Sequence, residues 1–147
     1  MNKKIGFTLI EVLAVIAIMS LLIIIAVPNI LKIFENGKKN LFVSQAKNIY
    51  KEAIQEYAVN EEEYNLINRF YYSQGASENP LSLSGSKDVY YDIEIYSGEM
   101  TKFIVWNDSY IIELEFSDIK QKDIDVNVVE ENSWRINYNN YLNIITK

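Results

Sequence analysis

The amino-acid sequence predicts an α+β protein in which one long N-terminal helix precedes a small antiparallel β-sheet. Three observations support this fold class. Residues 7–31 form a nearly continuous apolar run, and apolar residues then recur at helical spacing to about residue 60. From Asp88 onward the apolar residues alternate with polar ones, which is the pattern of half-buried strands. A helix followed by consecutive antiparallel strands is the element order of α+β proteins.

Length and composition exclude several classes of protein. The chain has 147 residues, enough for one domain or for one domain with an appendage. It carries 20 acids and 14 bases, and this acidic balance disfavours sequence-general nucleic-acid binding, which needs Lys and Arg against phosphates. It has no Cys and no His. Disulfides, Cys/His zinc sites and imidazole catalysis are therefore excluded.

The apolar run Phe7–Leu31 predicts a membrane-spanning helix. Twenty of its 25 residues are apolar. A helix of this length, at ~1.5 Å per residue, can cross a ~30 Å hydrocarbon core. The run is longer than the ~7–15-residue apolar region of a cleaved signal peptide, and a core helix is rarely apolar all round for this length. Lys3 and Lys4 precede the run and favour a cytoplasmic N-terminus.

Glu11 is the one charged residue in this run. A carboxylate in the middle of a membrane helix costs ~2.5–3.5 kcal/mol on insertion scales, so it is a functional candidate by default. The run offers it no Lys, Arg or His as a partner. The nearest cation along the chain would be an α-amino group, if the chain were cut close by.

Residues 3–12, Lys-Lys-Ile-Gly-Phe-Thr-Leu-Ile-Glu-Val, resemble the cleavage and assembly motif of type IV prepilins and type II secretion pseudopilins. In that family a short basic leader ends in Gly. A membrane-embedded aspartic peptidase cuts after the Gly and N-methylates the new first residue, typically Phe. Glu is the fifth mature residue, as Glu11 is here if the cut follows Gly6.

The resemblance implies a role for each matching residue. It makes Gly6 and Phe7 the processing site, Phe7 the N-methylated residue, and Lys3 and Lys4 the basic part of the leader. Gly6 has no side chain, so a peptidase can hold the backbone closely at the scissile bond. The cationic amine of Phe7 would neutralise Glu11 of the same chain or of a neighbouring subunit. This pair would set the register between packed subunits, because an unpaired carboxylate in an apolar core is costly.

Pro28 matches a helix-interrupting proline that the family carries near the end of the apolar run. Proline inside a helix removes one backbone hydrogen bond and bends the helix. We therefore expect a kink at Pro28, with any loosening of the helix on filament packing between Ser20 and Pro28. The alternative is that Pro28 only marks the exit from the membrane.

The helix is expected to run from Phe7 to about Ala58, with a weak point at Asn36-Gly37. Its second half carries an apolar stripe suited to packing on a sheet, as in the pilin fold. The expected division is a leader at 1–6, a transmembrane and polymerisation half of the helix at 7–31, an amphipathic half at 32–60 and a globular head at 61–147.

The head is expected to begin with a polar loop over residues 61–86 that contains a short helical piece at Tyr64–Tyr71. An antiparallel meander follows, with turns at Ser97-Gly98 and Asn107-Asp108. The predicted strands and connections are, in order, a strand from Asp88 to Tyr96, strands at Met100–Trp106 and Ser109–Phe116, a charged connection at Ser117–Asp125, a hairpin of Val126–Val129 with Trp134–Tyr138, and a tail strand at Tyr141–Ile145.

No cofactor is expected, with calcium as an open alternative. Acids are dense near the C-terminus and some pseudopilins bind calcium there, although no EF-hand spacing is present. The acids concerned are Asp118, Asp123, Asp125, Glu130 and Glu131. They are otherwise expected to be solvated loop residues, and no pair of carboxylates is singled out for glycosidase-type catalysis.

The functional expectation is a structural subunit and not an enzyme. It is a single-pass membrane prepilin with a cytoplasmic N-terminus that later enters a cell-surface or extracellular filament. The expected partners are other pilins, the prepilin peptidase, the assembly platform with its ATPase, and lipid before assembly, with no specific nucleic acid. The alternatives are a minor pilin, a pseudopilin of a secretion or competence system, and a membrane-anchored binding domain that never polymerises.

Overall fold

Helix α1 spans Leu9–Val59 in the computed structural model, which describes residues 8–59, 67–73, 76–78, 80–83 and 88–132. The chain divides into two compact units, Met1–Lys38 and Lys39–Lys147, and α1 contributes residues to both. The observed end of the helix is one residue beyond the predicted end at Ala58.

Helix α1 is continuous at the two places that were expected to disturb it. Pro28 lies inside the helix, and Asn36 and Gly37 are helical as well. Pro28 has no N–H and therefore removes one hydrogen bond, but the bonds on either side preserve the helix. The weak point expected at Asn36-Gly37 does not interrupt the helix in this chain.

The first unit has no core of its own among the residues described. Every described side chain from residue 8 to residue 38 is exposed. The exposed set includes large apolar residues such as Leu9, Ile24 and Ile33, whose side chains are 78%, 70% and 69% accessible. The apolar residues of this unit are therefore available to lipid or to another protein chain.

The second unit contains an antiparallel sheet of six strands. The order across the sheet is β2-β1-β3-β4-β5-β6, so all neighbours except β1 and β3 are consecutive in the chain. The strands are β1 (Ile67–Ser73), β2 (Ala76–Glu78), β3 (Tyr90–Tyr96), β4 (Glu99–Trp106), β5 (Tyr110–Glu115) and β6 (Glu130–Glu131). The predicted α+β class and the β3-β4-β5 meander are confirmed.

One face of the sheet packs with the C-terminal half of α1. Tyr91, Ile93 and Ile95 of β3 are buried in the same cluster as Phe103 of β4. The helix contributes six buried side chains at helical spacing: Phe42, Val43, Ala46, Ile49, Ala53 and Tyr57. The predicted apolar stripe of the second half of the helix is therefore the core face of this unit.

Two turns of the meander follow from local chemistry. Ser97 and Gly98 connect β3 and β4, and both have positive φ angles, of 50° and 84°. Two consecutive positive φ angles are characteristic of a type I′ hairpin turn, which matches the twist of the strands it joins. The Asn107 side chain accepts hydrogen bonds from the N–H groups of Ser109 (2.8 Å) and Tyr110 (2.7 Å), which fixes the turn into β5.

The second face of the sheet holds a buried carboxylate. Asp92 of β3 is fully buried and accepts two hydrogen bonds from Arg69 of β1, at 2.7 and 2.8 Å. The Nζ atom of Lys102 on β4 lies 3.0 Å from the same carboxylate. Three neighbouring strands are therefore joined by one acid and two bases, beside a small apolar cluster of Tyr71, Ile104 and Trp106.

Two predicted elements were wrong. Residues 67–71 of the predicted helical piece Tyr64–Tyr71 belong to strand β1, because this segment pairs with β3 and buries Phe70 completely. Most of the predicted strand Val126–Val129 is a 3-10 helix at Val126–Val128, where the Asp125 side chain accepts a hydrogen bond from Asn127 N–H. The predicted strands Trp134–Tyr138 and Tyr141–Ile145 lie outside the described residues.

Candidate assembly site at the start of the helix

Glu11 lies in the first turn of α1, where Thr8 is its partner. The Oε2 atom of Glu11 accepts hydrogen bonds from the backbone N–H and from the hydroxyl of Thr8, both at 2.8 Å. The Glu11 N–H donates in return to the Thr8 hydroxyl at 3.3 Å. This reciprocal arrangement is a capping box, in which two backbone donors at the helix start are satisfied by side chains.

The position of Glu11 also suits its charge. The unpaired N–H groups of the first helical turn carry partial positive charge, so a carboxylate there is stabilised. The capping box gives the carboxylate one local partner and leaves its other oxygen, Oε1, without a hydrogen bond among the described residues. The site therefore retains an acceptor for a cation supplied by another group.

Sequence reasoning identified Glu11 but missed Thr8. The signal was present, because a Thr followed three residues later by Glu at the start of an apolar run is the sequence pattern of a capping box. Thr8 had been counted only as an exception to the apolar composition. The structure makes it the residue that orients the Glu11 side chain.

The remaining hydrogen-bonding side chains of the apolar run are satisfied by the helix itself. The hydroxyl of Ser20 donates to the carbonyl of Ile16 at 2.8 Å, and the amide of Asn29 donates to the carbonyl of Ile25 at 3.2 Å. Each bond spans one helical turn, which is how short polar side chains are accommodated in apolar surroundings. These groups therefore need no water, which favours a helix that lies in hydrocarbon.

By length and composition, α1 can cross a membrane. None of its most apolar 18-residue window is buried within the described chain. A buried core helix passes the same test of length and composition, but it would have most of this window covered. The exposure of the run therefore favours an environment of lipid or of other helices.

The other predicted site residues are placed as follows. Pro28 lies within α1, 17 residues after Glu11, and the two do not form a common site. The predicted processing residues Gly6 and Phe7, and the leader residues Lys3 and Lys4, lie outside the described residues. Their roles, and the pairing of the Phe7 amine with Glu11, remain predictions.

The acids considered for calcium have local partners instead of a common centre. Asp118 pairs with the Lys120 side chain, and Asp123 accepts a hydrogen bond from the Lys120 backbone N–H at 2.7 Å. The ion pair with Asp118 raises the pKa of Lys120. Within the described ranges, no three acids converge as ligands for a metal ion. Calcium binding remains an untested prediction.

Comparison with known proteins supports the N-terminal assignment. Residues 1–27 match the family model of the prokaryotic N-terminal methylation motif. No curated protein and no solved structure matches the chain. The matched residues include the predicted cleavage position and Glu11, and they end one residue before Pro28. The chain thus carries the N-terminal methylation motif that is the signature of type IV pilins and pseudopilins.

Proposed function

We propose that this chain is a structural subunit of a type IV pilus-like filament. It is made as a prepilin, cleaved after Gly6, N-methylated at Phe7 and polymerised through its hydrophobic N-terminal helix. The observation that carries the proposal is the combination of a methylation motif with an apolar helix whose described side chains are all exposed up to residue 38. Such a helix gains free energy of ~25 cal/mol per Å² of apolar surface that neighbouring helices cover.

The same features suggest the path of the subunit. The motif implies processing by a prepilin peptidase and assembly with other pilins, and the apolar helix fits a membrane-anchored precursor that is later surface-exposed. We infer that the N-terminus is cytoplasmic, that lipid covers the helix before assembly, and that an assembly platform with its ATPase drives the transfer into the filament. No part of the proposal requires the chain to catalyse a reaction.

Glu11 has a defined part in this proposal. In the single chain its carboxylate is held by Thr8, while Oε1 accepts no hydrogen bond from the residues described. Cleavage after Gly6 would create a cationic amine on Phe7, one residue before Thr8. The amine of a packed neighbour would then neutralise the carboxylate and align the two helices, because a mismatched register would leave both charges unpaired in an apolar core.

The N-terminus of the native protein tests the processing step. Mass spectrometry of the protein from its own cells should find N-methylated Phe7 as the first residue. An intact Met1 throughout the mature pool would overturn the proposal and favour a membrane-anchored binding domain that never polymerises.

Two substitutions separate the charge of Glu11 from its capping role. Glu11→Gln keeps a side-chain oxygen that can complete a capping box but removes the charge. Thr8→Ala removes the cap and keeps the charge. If the charge sets the register, filaments recovered by shearing should be lost for Glu11→Gln and retained for Thr8→Ala. Unchanged assembly of Glu11→Gln would contradict the proposed charge pairing.

The abundance of the chain in the filament separates a major subunit from its relatives. Minor pilins and pseudopilins share the N-terminal motif and the apolar helix, so these features do not distinguish them. Quantitative mass spectrometry of sheared filaments should find this chain as the main component. A trace share would assign it to the minor class.

A further inference from the structure

The exposed helix has an apolar face beyond the membrane-spanning run. Ile30, Ile33, Phe34 and Gly37 are spaced by three or four residues and therefore lie on one side of α1. The side chains of Ile33 and Phe34 are 69% and 66% exposed. Three of these four residues follow Pro28 and the end of the apolar run at Leu31. Large apolar side chains in this position remain in water unless another surface covers them.

Gly37 indicates that the covering surface approaches the helix closely. A helical Gly is about 1 kcal/mol less favourable than Ala in a helix interior. A Cβ atom built on Gly37 would meet nothing within 4 Å, so packing within the chain gives no reason for the missing side chain. A flat site between exposed apolar residues instead permits a close contact from outside the subunit.

The surroundings of this face are basic. Lys32 and Lys38 are exposed and form no ion pair with any residue that the structure describes. Lys38 lies four residues after Phe34 and so flanks it on the helix surface. From residue 12 to residue 51 the sequence has five lysines and a single Glu. We name Ile30, Ile33, Phe34 and Gly37, together with Lys32 and Lys38, the basic helix face.

The opposite charge is found in the head of the same chain. Residues 58–147 carry 16 acids and seven bases. At one edge of the sheet, Glu130 and Glu131 of β6 pair with the start of β5, and Glu113 lies two residues further along β5 from the partner of Glu130. All three are exposed, and none has an ion-pair partner within the described ranges.

We propose that the basic helix face binds the acidic head of a second copy of this chain. This interface rests on the proposed function and deepens it, because it names a contact that would select the neighbour in the filament. The two surfaces are different, so the contact is heterologous and each copy offers both halves. A heterologous contact that does not close into a ring generates an open helical assembly.

A second copy fits this face better than an anionic lipid surface does. Lipid headgroups would attract the lysines, but they would also repel the head of the same chain, which has a large excess of acids. A second copy supplies the negative charge in equal number to the helix face. Complementary charge also steers encounter and fixes orientation between partners.

Exchange of the charges tests the interface in the full chain with its own assembly proteins. One variant carries Lys32→Glu and Lys38→Glu, a second carries Glu130→Lys and Glu131→Lys, and a third combines all four. The third has the same net charge as the natural chain. We expect each double variant to lower the filament recovered by shearing by about tenfold or more, because like charges in contact are repelled, and the combined variant to restore it.

The shape of the face is tested by one matched pair of substitutions. Gly37→Leu adds a side chain to the face, whereas Asn36→Leu adds the same side chain to an exposed position about 100° away around the helix. We expect only Gly37→Leu to reduce assembly. Equal behaviour of the two variants would contradict a close contact at Gly37.

The remaining results have clear meanings. All charged groups in the exchange are exposed, and equal amounts of each processed variant in the membrane would show that folding and insertion are intact. A combined variant that assembles no better than the double variants would overturn the interface, while filaments of the natural chain would leave the proposed function standing. Loss of binding of the lysine variant to vesicles of phosphatidylglycerol, without rescue by the head substitutions, would assign the lysines to lipid and also overturn it.

Discussion

Helix α1 has opposite burial in the two units of the chain. From residue 8 to residue 38 every described side chain is exposed, although most of them are apolar. From residue 39 onward the same helix buries six side chains in a core shared with the sheet. A helix that must cover one stripe is amphipathic, whereas a helix that is apolar all round needs partners on every side. The difference shows that the first unit is completed only by lipid or by other chains.

The largest expected effect separates the two units directly. Phe103→Ala in the sheet should lower the free energy of unfolding by about 3–5 kcal/mol, because the fully buried ring leaves a cavity in the core. Leu22→Ala in the exposed helix should change it by less than about 0.5 kcal/mol, as for other surface positions. Urea unfolding of the full chain in detergent, followed by near-UV circular dichroism, measures both. Equal destabilisation would mean that the two units unfold as one.

A smaller effect is expected from the buried carboxylate of the head. Asp92→Ala leaves Arg69 and Lys102 facing each other without the acid that joins them. We expect a loss of about 2–3 kcal/mol, below the 3–5 kcal/mol of a broken pair that is fully buried, because the two basic side chains are about one fifth exposed.

The matched control for Asp92 is Glu113→Ala on the exposed side of β5. It removes one carboxylate from the same sheet and should change the free energy of unfolding by less than about 0.5 kcal/mol. The same urea unfolding measurement applies. If Asp92→Ala were as mild as the control, the buried ion cluster would contribute little to the order of the strands.

The helix start should show a local effect of about 1 kcal/mol. Thr8→Ala removes the capping box and frees the first turn of α1, whereas Thr8→Ser retains a hydroxyl cap. Amide hydrogen exchange of the first turn in detergent should accelerate for Thr8→Ala alone. Exchange that accelerates in the second unit as well would contradict the separation of the two units.

The smallest effect appears only in alkali and concerns the second unit. Burial raises the pKa of Tyr50 and of Tyr91 above the ordinary value of 10.0. Above pH 10 the unfolded chain therefore releases protons that the folded chain retains, and the stability falls as the pH rises towards the folded-state pKa values. Below pH 10 this contribution is fully present.

Urea midpoints measured between pH 8 and pH 11 would detect this decline. Tyr50→Phe should flatten it, although the variant also loses the hydrogen bond to the carbonyl of Ile119, at 3.1 Å, at every pH. A decline of unchanged slope in Tyr50→Phe and in Tyr91→Phe would assign the pH dependence to other groups.

The sequence predicted the parts of the fold that have a local signal. Alternation of apolar residues in β3 and β5, and the Ser97-Gly98 turn between β3 and β4, were sufficient to predict the meander. Strand β1 was missed because its partner β3 lies more than 20 residues away, and pairing at that distance leaves no local pattern.

The burial of Asp92 was hidden for a related reason. Its position in the alternating pattern of β3 indicated a solvated residue, and only the pairing of β1 and β4 with β3 brings Arg69 and Lys102 to it. At the helix start, by contrast, Glu11 was predicted because it is the only charge in an apolar run. The Thr8 cap was also readable in the sequence, and its omission was an error of interpretation.

The two edges of the sheet have a consequence for a chain that polymerises. Strand β2 has three residues, and β6 has two, both of them glutamates. A long open edge would invite strands of adjacent copies to pair at the high local concentration of a filament, and such pairing leads to amyloid-like aggregation. Short and charged edges limit this route. In the proposed filament they would confine ordered growth to the helices and keep the heads soluble as separate bodies.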